Sequence, residues 1–199
     1  GNEGGRGRTT EWSATPYTPK SYGHGAASNA QLGLEEMSAD LGSRELVARA
    51  DGKYDNYYRL IRPFDFDSTK QYPVILYVYG GPHTQLVRNN YQANLRRWEM
   101  YMAQRGYILF ILDNRGTPNH GADYARAIHR QCGVVEMQDQ MVGMEWLMSH
   151  SWVDKNRIGV HGWSYGGFMT ISLMTNYPEI FKVGVAGGPV IDWKWYEVM

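Results

Sequence analysis

Between Gly159 and Thr170 the chain reads GVHGWSYGGFMT, and this stretch limits the possible folds more than any other. Ser164 is framed by Gly162 and Gly166 as Gly-X-Ser-X-Gly, with Gly167 next. In front of it, Arg157-Ile158-Gly159-Val160 follows the turn-like Val153-Asp154-Lys155-Asn156. Behind it, Phe168, Ile171, Leu173 and Met174 recur at helical spacing and stop at Asn176-Tyr177-Pro178. Strand, sharp turn and helix are the context a nucleophile elbow needs. Ser164 would sit at the tip in a strained backbone conformation. Gly162 and Gly166 lack Cβ atoms, so strand and helix can approach closely there. The helix start then aims free N–H groups at the chemistry.

The rest of the chain supplies a sheet to carry such an elbow. Val74–Tyr79 is a continuous β-branched and aromatic run that stops at Gly80-Gly81-Pro82, and Tyr107–Leu112 is a second run of this kind. Runs apolar on both faces suit central strands of a parallel sheet. With Ile158–His161 and Lys182–Ala186 they predict four central parallel strands. Leu46–Ala50 and Tyr57–Arg62, joined at Asp51-Gly52, read as a hairpin at one edge. Tyr91, Leu95, Trp98 and Met102 predict a helix ending at Gly106, and a short helical stretch falls around Tyr124 and Ile128. Met137, Met141, Met144 and Met148 form a stripe that reads as a helix face packed on the sheet, in preference to a soft-metal site. Strands alternating with helices predict an α/β layered fold.

The chain has 199 residues, enough for one domain with a real core. Residues 1–40 are rich in Gly, Ser, Thr and Asn without periodicity, and read as a flexible or irregular segment. Residues 41–199 read as the folded domain. With 20 basic and 20 acidic residues, nothing points to nucleic acid as a partner, and Gly4-Gly5-Arg6-Gly7-Arg8 reads as solvated linker. No apolar run approaches the roughly 18 residues of a membrane span. The single cysteine, Cys132, excludes an internal disulfide and reads as a half-buried thiol.

A serine hydroxyl is a poor nucleophile without a base, normally a histidine held by a carboxylate. On folds with this elbow the order is Ser, then acid, then His. His24, His83, His120, His129, His150 and His161 all precede Ser164. The base is therefore expected beyond Met199, and the chain reads as the front part of a catalytic domain. His161, on the elbow strand, reads as a buried strand histidine. One oxyanion donor is the N–H of Tyr165, the residue after the nucleophile. The second belongs to the loop after Val78, as a backbone N–H or as the Tyr79 phenol.

VYGGPHTQLV, DNRGTPNHGADYARAIHRQCG, EMQDQMVGMEWL, GWSYGGFMT and GGPVIDWKWYEVM, in this order, resemble the prolyl oligopeptidase family of serine peptidases, in its dipeptidyl peptidase IV branch and of the bacterial kind. The likeness covers roughly Asp51 to Met199. It implies an α/β-hydrolase fold, truncated after the elbow and following strand, that joins a β-propeller in the full-length protein. It implies release of N-terminal dipeptides after proline or alanine through an acyl-enzyme at Ser164. Tyr79 and Tyr165 would donate to the oxyanion, and Val190, Trp193 and Tyr196 would shape the substrate pocket. A flat aromatic pocket suits a pyrrolidine ring, which has a fixed shape and no donor. The partners implied are peptide substrates, the C-terminal half and the propeller, with homodimerisation of the full-length enzyme left open. No cofactor or metal is expected; the sequence itself does not choose between cytosol and periplasm, and the resemblance implies a periplasmic or extracytoplasmic setting. Two alternatives stand beside this reading: a broader acyl hydrolase, such as an acylaminoacyl peptidase or esterase, and a non-catalytic binding protein on the same fold.

Overall fold

The computed structural model describes residues 56–88 and 96–198. The irregular segment over 1–40 and the first hairpin strand at Leu46–Ala50 lie outside the described residues, as do Tyr91 and Leu95 of the expected helix. Five strands form one sheet: β1 Tyr58–Ile61, β2 Tyr72–Tyr77, β3 Ile108–Leu112, β4 Val153–Trp163 and β5 Val183–Gly187, in the spatial order β1-β3-β2-β4-β5. β1 runs antiparallel to β3, and every other pair is parallel. The described helices are α1 Arg97–Gln104, α2 Ala122–Arg126, α3 Val135–Met148, α4 Tyr165–Asn176 and α5 Trp193–Val198.

The apolar runs become β2 and β3 because alternate residues can be buried on both faces. Val74, Leu76, Phe110 and Val160 face one layer, where Met141, Met144 and Leu147 of α3 and Met169 and Leu173 of α4 pack on them. Tyr77, Leu109 and Ile111 face the other, against Ala103 of α1 with Leu86 and Val87. The methionine stripe is thus core, with Met137 and Met148 packed at its margin. On α4 the buried face is Met169, Thr170 and Leu173, while Ile171, placed by spacing on the apolar face, is exposed.

One strand expectation is corrected. β4 begins at Val153, so the segment read as a turn belongs to the strand; Asp154 Oδ1 still accepts the Asn156 N–H at 2.9 Å, and the pairing with β2 shifts register there. β5 pairs in parallel with β4 over Val183–Gly187, as expected for the strand that follows the elbow helix.

Strand order places the functional region. From β2 the chain crosses to β3 on one side; from β4 it crosses to β5 on the other. The carboxyl ends of β2 and β4 therefore flank a topological switch point, where open α/β sheets leave a crevice for ligand. Tyr79 follows one of these ends and Ser164 the other.

Candidate active site

Ser164 is the single residue between β4 and α4, with φ 61° and ψ −116°. A non-glycine residue takes this region only where its surroundings enforce it. Here its N–H donates to the Gly187 carbonyl at 2.8 Å, and its own carbonyl accepts the Phe168 N–H at 3.1 Å. Each elbow glycine has a steric reason. A Cβ on Gly162 or Gly166 would run into the Val78 carbonyl oxygen, and one on Gly167 would meet the Gly187 oxygen at 2.7 Å. Strand β2 can thus end directly against the elbow. The Ser164 side chain is exposed at the tip, and Tyr165 as the first helical residue has an N–H without an intrahelical acceptor.

The loop after β2 is held from behind by buried polar groups. Gly80, at φ +79°, turns the chain, and a Cβ on Gly81 would penetrate the Tyr165 ring. Asn114 donates its side-chain amide to the Gly80 carbonyl at 2.9 Å. Asp113 accepts the Leu86 and Val87 N–H groups at 3.0 and 2.8 Å, one on each oxygen. Burial pushes the Asp113 carboxyl up to about 7, against the downward pull of these two bonds. Arg115 closes the group, giving its backbone N–H (2.8 Å) and its guanidinium (2.8–3.1 Å) to Asp139. Tyr79 is half-buried in this setting, with its ring centroid 6.1 Å from that of Tyr165.

The residues expected to shape the pocket continue the same ring series. Trp193 lies 5.4 Å from Tyr165 and 5.2 Å from Phe168, and Tyr196 lies 5.5 Å from Trp193. Tyr79, Tyr165, Trp193 and Tyr196 therefore form one chain of neighbouring rings beside Ser164. Val190 is half-buried on the segment joining β5 to α5, while Trp195 is exposed.

His161 is half-buried, where the sequence reading expected full burial. Its Nδ1 is 2.7 Å from the Val185 carbonyl, and its ring lies edge-on to Tyr77 and Trp98. Those rings belong to the α1 layer, whereas α4 packs on the opposite face. Cys132 is exposed, not half-buried as expected. Asp113, Asn114 and Glu136 escaped the sequence reading as site residues. The available signals were two polar residues directly after a fully buried strand, and an acid at the start of a methionine-rich helix.

A serine on a strained strand-to-helix elbow, beside a glycine loop at the switch point of a mostly parallel sheet, defines the α/β-hydrolase fold and its nucleophile position. Residues 93–199 match the model of the prolyl oligopeptidase family, and the chain belongs to that family. It is 36% identical to dipeptidyl peptidase 8 from Homo sapiens over 142 residues, 71% of this chain and 16% of that protein. Prolyl endopeptidase FAP from Homo sapiens is 36% identical over 141 residues, 70% of this chain and 18% of that protein. Among solved structures, a protein from Bacteroides ovatus assigned as dipeptidyl aminopeptidase IV superposes with a TM-score of 0.72 at 56% identity, covering 74% of this chain and 21% of that one. Dipeptidyl peptidase 4 from Porphyromonas gingivalis superposes with a TM-score of 0.67 at 35% identity, covering 72% and 20%. The chain thus spans about a fifth or less of the length of these relatives.

Proposed function

We propose that this chain carries the nucleophile, the oxyanion donors and part of the substrate pocket of a serine exopeptidase that releases N-terminal dipeptides after proline or alanine. The observation that carries the reading is the backbone of Ser164, held at φ 61° between β4 and α4 with its side chain exposed at the switch point. In this reading the Ser164 Oγ attacks the carbonyl carbon of the second residue. Its proton passes to a histidine of the full-length protein that follows in the order Ser, acid, His. The carbonyl oxygen, becoming negative, takes hydrogen bonds from the Tyr165 N–H and the Tyr79 phenol. The C–N bond then breaks, the amine leaves with a proton, and water releases the dipeptide from the ester. His161 does not serve as the base in this reading, because its ring packs edge-on against Tyr77 and Trp98 on the α1 side of the sheet, the face opposite α4.

Proline preference is supported by the ring series ending at Trp193 and Tyr196, and by relatives named as dipeptidyl peptidases and prolyl endopeptidase. The test is made in the full-length enzyme with a Gly-Pro p-nitroanilide. Ser164→Ala should abolish turnover and covalent labelling by a fluorophosphonate. Retained turnover in Ser164→Ala would remove the acyl-enzyme route. A preference for N-acylated over free-amine substrates would favour the acylaminoacyl peptidase alternative.

A further inference from the structure

Helix α3 carries Glu136 and Gln140 one turn apart, both with no exposed surface, and each reaches a different half of the site. Glu136 accepts the phenol O–H of Tyr165 and, on both of its oxygens, the Gly133 N–H at 3.0 Å. Gln140 donates its amide to the Leu112 carbonyl at 3.0 Å and to Asn114 Oδ1 at 2.8 Å. Asn114 in turn donates to the Gly80 carbonyl. One rigid helical turn is therefore linked to the side chain of Tyr165 on one side and to the loop carrying Tyr79 on the other.

Packing alone gives no reason for these residue types. One turn further on, the same helix covers the sheet with Met144 and Leu147. A buried carboxylate is costly unless its hydrogen bonds are made; burial pushes Glu136 up, and the Tyr165 and Gly133 donors pull it back. The Tyr165 ring is already confined by Gly81, Phe168 and Trp193. Fixing its hydroxyl as well holds the residue at both ends, so the first turn of α4 can neither slide nor rotate without breaking a buried bond.

We propose that Glu136 and Gln140 are positioning residues that set the separation and direction of the two oxyanion donors, the Tyr165 N–H and the Tyr79 phenol. The proposal rests on the peptidase reading above. Two donors serve one oxyanion only if both lie about 2.7–3.1 Å from where its charge develops. A common strut between them is the direct way to meet that condition.

The experiment uses the full-length enzyme, the Gly-Pro p-nitroanilide, and circular dichroism with thermal unfolding to establish that each variant is folded. Tyr165→Phe keeps the ring and removes only the hydroxyl. It should lower kcat by about tenfold to a hundredfold, the scale of a small misplacement, with KM held within about twofold because ground-state contacts remain. Glu136→Ala should fall equally, and Glu136→Gln, which can still accept the phenol, should restore most of the rate. Glu136→Ala in the Tyr165→Phe background should lower kcat little further, since the bond to the phenol is already absent and only the Gly133 N–H loses its acceptor. Gln140→Leu should lower kcat independently, through Gly80. If Glu136→Ala does not fold, Tyr165→Phe and Glu136→Gln decide. Wild-type kcat in folded Tyr165→Phe, or a loss confined to KM, overturns the positioning role and leaves the peptidase reading intact. Turnover that survives Ser164→Ala overturns the peptidase reading itself.

Discussion

Behind Ser164 and Tyr79, the supporting side chains Asn114, Glu136, Asp139 and Gln140 have no exposed surface, and each makes at least one hydrogen bond to backbone or to another buried group. Across the site, on the β5–α5 side, Tyr196 is 58% exposed and Ile191 83%. That side is joined to the first by ring contacts at 5.2–5.5 Å between Tyr165, Phe168, Trp193 and Tyr196. The proposed reaction would place different demands on the two sides. Oxyanion donors must hold their positions to a fraction of an ångström, so hydrogen bonds in a low-dielectric interior serve them. A wall that receives an apolar ring needs only shape and area, which aromatic side chains provide without fixed bond directions.

Variants can break that contrast, beginning with the donor itself. In the full-length enzyme, Tyr79→Phe should lower the acylation rate by about a hundredfold to a thousandfold, the usual effect of one oxyanion donor. KM should change little, because the bond strengthens mainly in the transition state. Stopped-flow kinetics with the Gly-Pro substrate read this, and an unchanged acylation rate would remove the phenol from the mechanism.

Gly166→Ala attacks the rigid side sterically. The new Cβ would overlap the Val78 carbonyl, which is backbone and cannot yield easily. A loss of about 1–3 kcal/mol in stability is expected, as for other overpacked sites. Denaturant titration of the catalytic domain's unfolding checks this, and a midpoint equal to wild type would mean that β2 does not press on the elbow.

Asp113 makes a pH-dependent prediction about the same side. Its folded-state value near 7 lies above the ordinary 3.8, so the folded protein binds more protons than the unfolded chain between these values. This residue's contribution to stability is therefore greatest at the acid end of that window and falls as pH rises through it. Asp113→Asn should remove that slope. It should also cost about 1–2 kcal/mol, because one of the Leu86 and Val87 N–H groups loses its acceptor. Thermal unfolding across that range would contradict the assignment if wild type and variant had parallel profiles.

The smallest effect on stability is expected on the open side. Tyr196→Ala removes a ring that meets the buried groups behind the site only through Trp193, at 5.5 Å, so its effect should fall on substrate binding more than on stability. KM for the Gly-Pro substrate should rise several-fold, by about 1 kcal/mol of lost apolar contact. Steady-state kinetics with Gly-Pro and Gly-Ala substrates would oppose a pocket role if KM for both stayed at the wild-type value.

The elbow was legible in the chain because the pattern is local. Gly-X-Ser-X-Gly between an apolar run and a helical run specifies its backbone within a dozen residues, and Ser164 adopts the expected strand-to-helix position. The parallel runs at Val74–Tyr79 and Tyr107–Leu112 were legible for a similar reason, since only strands buried on both faces tolerate such sequences. Partnership was not. No single run records that β2 pairs with both β3 and β4, or that β1 joins β3 antiparallel, because composition records affinity for burial and not which neighbours arrive. The polar supports were hidden more deeply. Glu136 lies 29 positions from Tyr165, and Gln140 lies 26 from Asn114. Sequence alone determined the Ser164 elbow, its turn and the layered α/β class, all of which follow from short-range sterics and periodicity. The tertiary structure decided which buried polar groups meet behind the site, because such pairs depend on how α3 crosses the sheet, and no local pattern encodes that distance.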